Sequence, residues 1–246
     1  MTQGPFWLDP RNPTAFPPVE LAMREPDGLL ALGGDLSAQR LLAAYRQGIF
    51  PWYSNGQPIL WWSPDPRLVL VLERLRISRS LRKTLRQAPF RVSIDEAFAA
   101  VIAACSAPRE DGGGTWLTAE MIDAYGDLHR LGHAHSVECW RNDVLVGGLY
   151  GVSVGRVFFG ESMFSALSNA SKVALVYLVR HLQAWDFRLL DCQLDSAHLR
   201  RLGAETMPRE QFIAGLRREC AQPHRLGPWR AEPDLCAHIV ARGGGA

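Results

Sequence analysis

The stretch HSVECWRNDVLVGGLYGVSVGRVFFGES, residues 135–162, decides the fold class. Its apolar residues recur with a period close to two, and turn-forming pairs interrupt them at Asn142–Asp143 and Gly155–Arg156. This pattern predicts a three-stranded antiparallel meander. A long helix with one apolar face is predicted next, from about Asn169 to Trp185. The segment RLLDCQL (188–194) then reads as another strand.

The N-terminal part of the chain has a different character. The first 65 residues are rich in proline and glycine and hold one clear helical segment, GGDLSAQRLLAAYRQGIF (33–50). Further helices are predicted at about Asp95–Cys105 and Thr118–Leu131. We therefore expect an α+β protein with a small loop-rich domain over residues 1–65. A second domain over residues 66–246 would contain a largely antiparallel sheet covered by helices.

The composition is that of an ordinary globular protein, with 246 residues, 47% hydrophobic and 21% charged. Neither a signal peptide nor a membrane-spanning run is evident, so we expect a cytoplasmic protein without a membrane partner. The five cysteines include no C-x-x-C pair, and the seven histidines show no metal-ligand spacing. We therefore expect no disulfide framework, no metal and no cofactor. Nothing in the sequence demands a dimer, and we expect a monomer.

Aromatic residues are concentrated in GIFPWYSNGQPILWWSPDPR, residues 48–67, which holds three of the eight tryptophans. Its four prolines exclude a long helix or a central strand, because proline lacks an N–H donor and has a fixed φ. One interpretation is a tryptophan-rich corner that packs two elements together. The other is a wall that binds a flat or apolar ligand.

Positive charge is concentrated between residues 67 and 91, where eight basic residues face one acid. Inside this window, ISRSLRKTLRQ predicts a short helix with Ser78 as its N-cap. Four basic residues then share one face of the helix: Arg79, Arg82, Lys83 and Arg86. A charged stripe is usually only a solvated face. Because like charges at this spacing repel, a stripe of one sign is better explained by a polyanion such as nucleic acid.

Two predicted strands carry polar residues where apolar ones would be less costly to bury. Glu161 is expected at the end of the strand formed by VFFGES, and Asp191 and Gln193 are expected on one face of the next strand. These residues could do chemistry together, or Asp191 could act as a cap and Glu161 could face solvent. The sequence contains no G-x-S-x-G elbow and no phosphate-binding G-x-x-x-x-G-K-[ST] loop.

Several longer blocks make the chain resemble the bacterial leucyl/phenylalanyl-tRNA–protein transferase family over nearly its whole length. In order along the chain these blocks are FP (16–17), GLLALGGDL (28–36), AYRQGIFPWY (44–53), WWSPDPR (61–67), TWLT (115–118), LGHAHSVECW (131–140), GGLYGV (147–152), FGESMFS (159–165), NASK (169–172) and LLDCQ (189–193). The chain departs from the family pattern after LLDCQ, where it has Arg200 and Arg201.

The resemblance implies an enzyme that moves Leu or Phe, and less well Met, from aminoacyl-tRNA to the α-amine of another protein. The acceptor proteins would begin with Arg or Lys, and the added residue would mark them for degradation. It also implies a C-terminal domain that is similar to the acyl-CoA N-acyltransferases. The pyrophosphate loop of CoA users, [RQ]-x-x-G-x-[GA], is not found after the predicted meander, which favours tRNA as the acyl carrier.

The resemblance also implies roles for individual residues. Gln193, oriented by Asp191, would contact the reacting amine, and Glu161 would help to hold the cationic acceptor terminus. Trp52 and Trp116 would lie around the terminal adenosine of the tRNA. The aminoacyl side chain needs an apolar pocket, for which the strand and helix faces offer Leu149, Phe158, Met163, Leu175, Leu178 and Leu190.

If a general base exists, Asp191 is the better candidate, because an amide is a poor base. Two rival interpretations stay open at this point. One is a CoA-dependent N-acyltransferase on the same fold. The other is a non-enzymatic RNA-binding module, which would leave the polar residues of the two strands unexplained.

Overall fold

The computed structural model describes residues 4–107, 117–232 and 234–235 of the protein. The strands are β1 (Phe6–Leu8), β2 (Leu29–Gly33), β3 (Phe50–Pro51), β4 (Leu60–Trp62), β5 (Arg67–Val71), β6 (Arg91–Ile94), β7 (Ala134–Arg141), β8 (Val144–Val154), β9 (Val157–Ser165), β10 (Leu189–Gln193) and β11 (Glu205–Met207). The α-helices are α1 (Ala38–Arg46), α2 (Arg79–Gln87), α3 (Phe98–Ser106), α4 (Ala119–Arg130), α5 (Ala170–Ala184), α6 (Ala197–Arg201) and α7 (Arg209–Glu219). No helix in this part of the chain is long and apolar enough to cross a membrane.

The strands form a four-stranded and a seven-stranded sheet. The small sheet has the order β1-β2-β4-β3, and the large one has the order β11-β5-β10-β9-β8-β7-β6. Within the large sheet the described pairs are antiparallel except for β9 and β10, which run parallel. The meander β7-β8-β9 and the α+β class are confirmed.

Local sequence explains where these elements begin and turn. Asn142 and Asp143 both have positive φ, of 50° and 58°, as a tight β-hairpin turn requires. Ser37, Ser78 and Thr118 each accept a hydrogen bond from a backbone N–H in the first turn of the helix that follows, so all three are N-caps.

The predicted start of α3 at Asp95 is wrong. Asp95 has a φ of 58°, which is outside the helical region, and α3 begins at Phe98. The side chain of Asp95 instead accepts a hydrogen bond from the backbone N–H of Ser136 on β7, at 2.9 Å. A tertiary contact has therefore overridden the local helical pattern.

Successive residues of the large sheet belong to two different hydrophobic clusters, because side chains alternate across a strand. Phe159 lies in the cluster with α1, α3 and α4, whereas Phe158 lies in the cluster with α2 and α5. The first cluster also contains Trp61 of the small sheet. One continuous core thus reaches across the predicted boundary between residues 65 and 66, and the division into two domains stays a prediction.

Candidate active site

A cavity of about 490 Å³ opens where the parallel strands β9 and β10 separate. Their last registered pair is Asp191 with Phe159, after which β9 continues to Ser165 paired with β8 only. All six residues that were predicted to form an apolar pocket line this cavity: Leu149, Phe158, Met163, Leu175, Leu178 and Leu190. The structure therefore brings the predicted pocket residues together, while their role in binding an aminoacyl side chain stays a prediction.

Two β-bulges lie at the edge of the cavity. On β9, Gly160 and Ser162 pair with consecutive residues of β8, so Glu161 is an extra residue without a partner. On β10, Asp191 and Gln193 pair with consecutive residues of β5, so Cys192 is the extra residue. The two bulges lie at the same level of the sheet, and each interrupts the regular alternation of side chains along its strand.

These bulges correct two expectations. Glu161 is not at the end of its strand but inside β9, four residues before Ser165. Asp191 and Gln193 do not follow the simple alternation of one strand face, because Gln193 has a left-handed φ of 61° beyond the bulge. The prediction that these two strands are neighbours is confirmed by the pairing of β9 with β10.

Glu161 is the centre of a partly buried hydrogen-bond network. Its Oε1 accepts from the hydroxyl of Tyr45 and from Nε2 of Gln193, each at 2.8 Å. Its Oε2 accepts from the hydroxyl of Tyr125, also at 2.8 Å. The two tyrosine hydroxyls also lie 2.8 Å apart. The carboxylate is thereby held at one end of the cavity with Gln193 beside it.

The environment of Glu161 raises its pKa to about 7. The main cause is desolvation by burial, and the negative charge of Asp191 adds to it. The hydrogen bonds from the tyrosines and from Gln193 oppose the shift because they stabilise the charged form. Burial and then the charge of Glu161 raise the pKa values of Tyr45 and Tyr125 well above their usual range. Both tyrosines therefore remain donors at neutral pH.

Asp191 is fully buried and is paired with Arg67. Nε of Arg67 donates to Oδ1 at 2.8 Å, and Nη2 of Arg67 donates to Oδ2 at 2.7 Å. Oδ1 also accepts from the backbone N–H of Gln193 at 2.9 Å. Asp191 therefore orients Gln193 through its backbone, and Glu161 holds the side-chain amide.

Of the two tryptophans predicted to lie around the terminal adenosine, only Trp52 is among the described residues. Trp52 lines the cavity and is 39% exposed, with its ring 5.6 Å from that of Trp62. Trp116 lies outside the described residues. Trp61 is fully buried, and its indole N–H donates to the carbonyl of Gly33 at 2.8 Å. Trp61 therefore fits the packing interpretation, whereas Trp52 faces the cavity and its role in binding a ligand stays a prediction.

The four basic residues Arg79, Arg82, Lys83 and Arg86 are exposed on α2, and we call them the α2 cationic face. The buried side of α2 carries Leu81 and Leu85, as the sequence predicts. The helix packs against α5, which contributes two of the cavity residues. Arg67 does not belong to this surface, although it lies in the same charged stretch of sequence, because it is buried in its ion pair.

One histidine of the cavity lies within the influence of two cationic side chains. His198 lines the cavity, and its pKa is lowered by burial and then by the charges of Lys172 and Arg201. Among the described residues no group of three or more histidine, cysteine or carboxylate side chains is arranged to hold a metal ion.

Comparison with known proteins places this site in a family. A family model described as leucyl/phenylalanyl-tRNA protein transferase matches residues 69–217, and a model of the N-terminal domain of the same transferase matches residues 34–65. The chain belongs to the leucyl/phenylalanyl-tRNA–protein transferase family. The predicted family and the predicted enzyme class, an aminoacyltransferase, are confirmed.

Curated relatives named leucyl/phenylalanyl-tRNA–protein transferase support this placement over most of the chain. The protein from Aromatoleum aromaticum is 63% identical over 217 residues, which is 88% of this chain and 92% of the relative. The protein from Pseudomonas syringae pv. syringae is 59% identical over 217 residues, covering 88% and 94%. The protein from Alkalilimnicola ehrlichii is 56% identical over 232 residues, covering 94% and 90%.

Solved structures show a more distant likeness. L-PGS from Bacillus licheniformis has a TM-score of 0.38 at 10% identity, covering 68% of this chain and 53% of that one. A GCN5-related N-acetyltransferase from Kribbella flavida has a TM-score of 0.32 at 14% identity, covering 68% and 59%. At these TM-scores the likeness says nothing about activity.

Sequence reasoning missed three residues that contact the predicted site residues. Tyr45 was assigned only to the apolar face of α1, and Tyr125 carried no signal that distinguished it from a core residue. Arg67 had such a signal, because it begins an otherwise apolar strand, where a buried charge needs a partner. Only the tertiary structure shows that this partner is Asp191.

Proposed function

We propose that the protein transfers Leu or Phe, and less well Met, from aminoacyl-tRNA to the α-amine of proteins that begin with Arg or Lys. The product is a new peptide bond, and the added residue marks the acceptor for degradation. The supporting observation is a partly buried carboxylate with a raised pKa, Glu161, at one end of an apolar cavity of about 490 Å³. That volume lies in the range of sites that bind small molecules, about 300–1,000 Å³.

On the donor side, the apolar wall of the cavity accommodates an unbranched-Cβ side chain such as Leu or Phe. Trp52 stands at the wall and offers its ring to the terminal adenosine, where base–aromatic stacking is worth roughly 1–3 kcal/mol. The α2 cationic face and the two cationic side chains near His198 suit the phosphates of the tRNA. One methylene in a pocket is worth only about 1–3 kcal/mol, so discrimination between donors is limited.

On the acceptor side, Glu161 provides negative charge for a cationic amino terminus. A terminal α-amine has a reference pKa of about 7.7–8.0, which is close to the pKa of about 7 of Glu161. A proton can therefore pass from the ammonium group to Glu161 at little cost. Nε2 of Gln193 already donates to Glu161, which leaves the amide oxygen of Gln193 to accept from the amine.

The chemical step needs no covalent enzyme intermediate, because the donor is an activated ester. The amine nitrogen forms a bond with the ester carbonyl carbon, the bond from that carbon to the ribose oxygen breaks, and the ribose oxygen takes up the proton that the nitrogen loses. Asp191 is not the base in this scheme, because both of its oxygens are committed to Arg67. We assign it the orientation of Gln193, and positioning of this kind can supply roughly 7–11 kcal/mol.

The test is transfer of labelled Leu from Leu-tRNA to a peptide that begins with Arg. We expect transfer that is abolished by ribonuclease, and little transfer to a matched peptide that begins with Glu. Acyl transfer from acetyl-CoA without any tRNA would instead support a CoA-dependent enzyme. Binding of tRNA without transfer of the amino acid would support an RNA-binding module.

A further inference from the structure

Arg67 joins two walls of the cavity that are distant in sequence. It is the first residue of β5 and is 1% exposed. Two nitrogens of its guanidinium, Nε and Nη2, donate to Asp191, and the third, Nη1, donates to the backbone carbonyl of Gly48 at 3.1 Å. Gly48 lies just before β3, so one side chain bonds to the segment that leads to Trp52 and to the strand that carries Gln193.

Aromatic rings hold this guanidinium in place. The ring of Phe50 lies 4.7 Å from its central carbon, and the ring of Phe212 lies 4.9 Å from it. Phe50 belongs to β3 and lines the cavity next to Trp52. The position of Arg67 is therefore tied to the donor-side wall by ring contacts and by its hydrogen bond to Gly48.

On the other side, Arg67 supports an unfavourable backbone conformation. Gln193 has a φ of 61°, which is uncommon for a residue other than glycine, and its N–H is held by Oδ1 of Asp191. That carboxylate keeps its orientation because Arg67 grips both of its oxygens. A chain of contacts thus runs from Gly48 through Arg67 and Asp191 to Gln193.

We propose that Arg67 is a positioning residue for acyl transfer, which sets the Trp52 wall and Gln193 at the spacing that the reaction requires. This inference rests on the proposed function, because it assumes that Trp52 binds the donor and that Gln193 binds the amine. Arginine is needed rather than lysine, because only the planar guanidinium can hold a carboxylate with two parallel bonds and a carbonyl with a third arm.

The experiment measures the transfer rate in a single turnover with saturating Leu-tRNA and Arg-starting peptide. Arg67→Lys keeps the charge but loses the forked contact. We expect the rate to fall about 10-fold to 100-fold, since a misplacement of about 1 Å can cost on the order of 100-fold. The KM for the peptide should change less than about 3-fold, because Glu161 is untouched and the loss lies in alignment.

Arg40→Lys is the matched control. Arg40 is also fully buried, and it donates to the carboxylate of Asp35 and to the backbone carbonyl of Asp9. These contacts lie within the N-terminal segment and away from the cavity. We expect Arg40→Lys to lower the melting temperature as much as Arg67→Lys does, but to leave the transfer rate within about 2-fold of wild type. An Arg67→Lys rate as high as that of Arg40→Lys would overturn the inference.

A second variant covers the case in which Arg67→Lys does not fold. Arg67→Met combined with Asp191→Asn removes both charges and leaves no unpaired ion in the core. If Arg67 aligns both walls, this double variant should transfer more slowly than Asp191→Asn alone, because it also loses the hydrogen bond to Gly48. A double variant as fast as Asp191→Asn alone would overturn the inference.

Gln193→Ala separates this inference from the proposed function. If Gln193→Ala is slow while Arg67→Lys is normal, the positioning role of Arg67 is wrong and the site assignment stands. If Gln193→Ala transfers at the wild-type rate, the site assignment itself is wrong and the role of Arg67 is wrong with it.

Discussion

Glu161 makes the stability of the folded protein depend on pH. Its pKa rises from an ordinary 4.5 to about 7 on folding, so the native state binds the proton more tightly than the unfolded chain does. The contribution to stability is fully present below the unfolded pKa and is lost as pH rises through about 7. Relative to a fully protonated Glu161, this titration lowers the stability of the folded protein by about 1 kcal/mol at pH 5, where mainly the unfolded chain is ionised, and by about 3 kcal/mol at pH 8, at 1.36 kcal/mol per pKa unit.

Glu161→Gln removes this titration while keeping the size and the hydrogen-bonding oxygen of the side chain. The two proteins share every other titrating group to a first approximation, so their difference in unfolding free energy isolates Glu161. We expect the stability of Glu161→Gln relative to wild type to increase by about 2 kcal/mol between pH 5 and pH 8.

Urea unfolding, followed by circular dichroism at several pH values, measures this difference. Matched m-values in wild type and variant are required, because a change in m would mean that the unfolded or native state had changed as well. A difference between the two proteins that stays constant from pH 5 to pH 8 would refute a raised pKa at Glu161. It would also remove the main reason to give this residue a role in proton transfer.

Three further experiments test the site. Replacing the three arginines of the α2 cationic face by Ala should weaken tRNA binding and flatten its salt dependence by up to ~3 units of slope, whereas removing the exposed Arg217 and Arg218 on α7 should leave the slope unchanged. Equal slopes of tRNA affinity against salt in both variants would mean that the α2 cationic face is only a solvated surface. Glu161→Gln should raise the KM for Arg-starting peptides and leave the Kd for tRNA unchanged; the reverse result would place Glu161 on the donor side. Asp191→Ala and Gln193→Ala should each lower kcat/KM roughly 100-fold, and the double variant should be little worse, because the two act as a unit. Full activity in the double variant would mean that other residues of the cavity carry out the chemistry.

Much of the fold follows from patterns that lie close together in sequence. The two-residue period of the meander and the N-cap at Ser78 involve neighbours along the chain, and each appears in the structure as predicted. The predicted start of α3 was wrong, because the side chain of Asp95 accepts a hydrogen bond from β7, about 40 residues away. A local pattern carries no information about such a partner.

The residue types of the candidate site could also be found from the sequence. A carboxylate in VFFGES and the pair Asp191 and Gln193 stood out, because polar groups in apolar strands are costly to bury without a partner. The six apolar residues of the cavity followed from the faces of the strands and of α5, together with the family resemblance. Each of these inferences needed only the period of an element and the cost of burial.

Tertiary structure alone decided how these groups are connected. Two adjacent bulges turn Glu161 and Gln193 toward each other, and bulges leave no reliable mark in a single sequence. The sequence suggested Asp191 as the base and showed Arg67 only as the start of a basic stretch, whereas the fold pairs these two residues across 124 positions of the chain. The pKa of a carboxyl depends on desolvation and on charges within a few ångströms, which only the folded chain defines. That is why the three-dimensional contacts, rather than the motif, make Glu161 the carboxyl with a pKa near that of its proposed substrate amine.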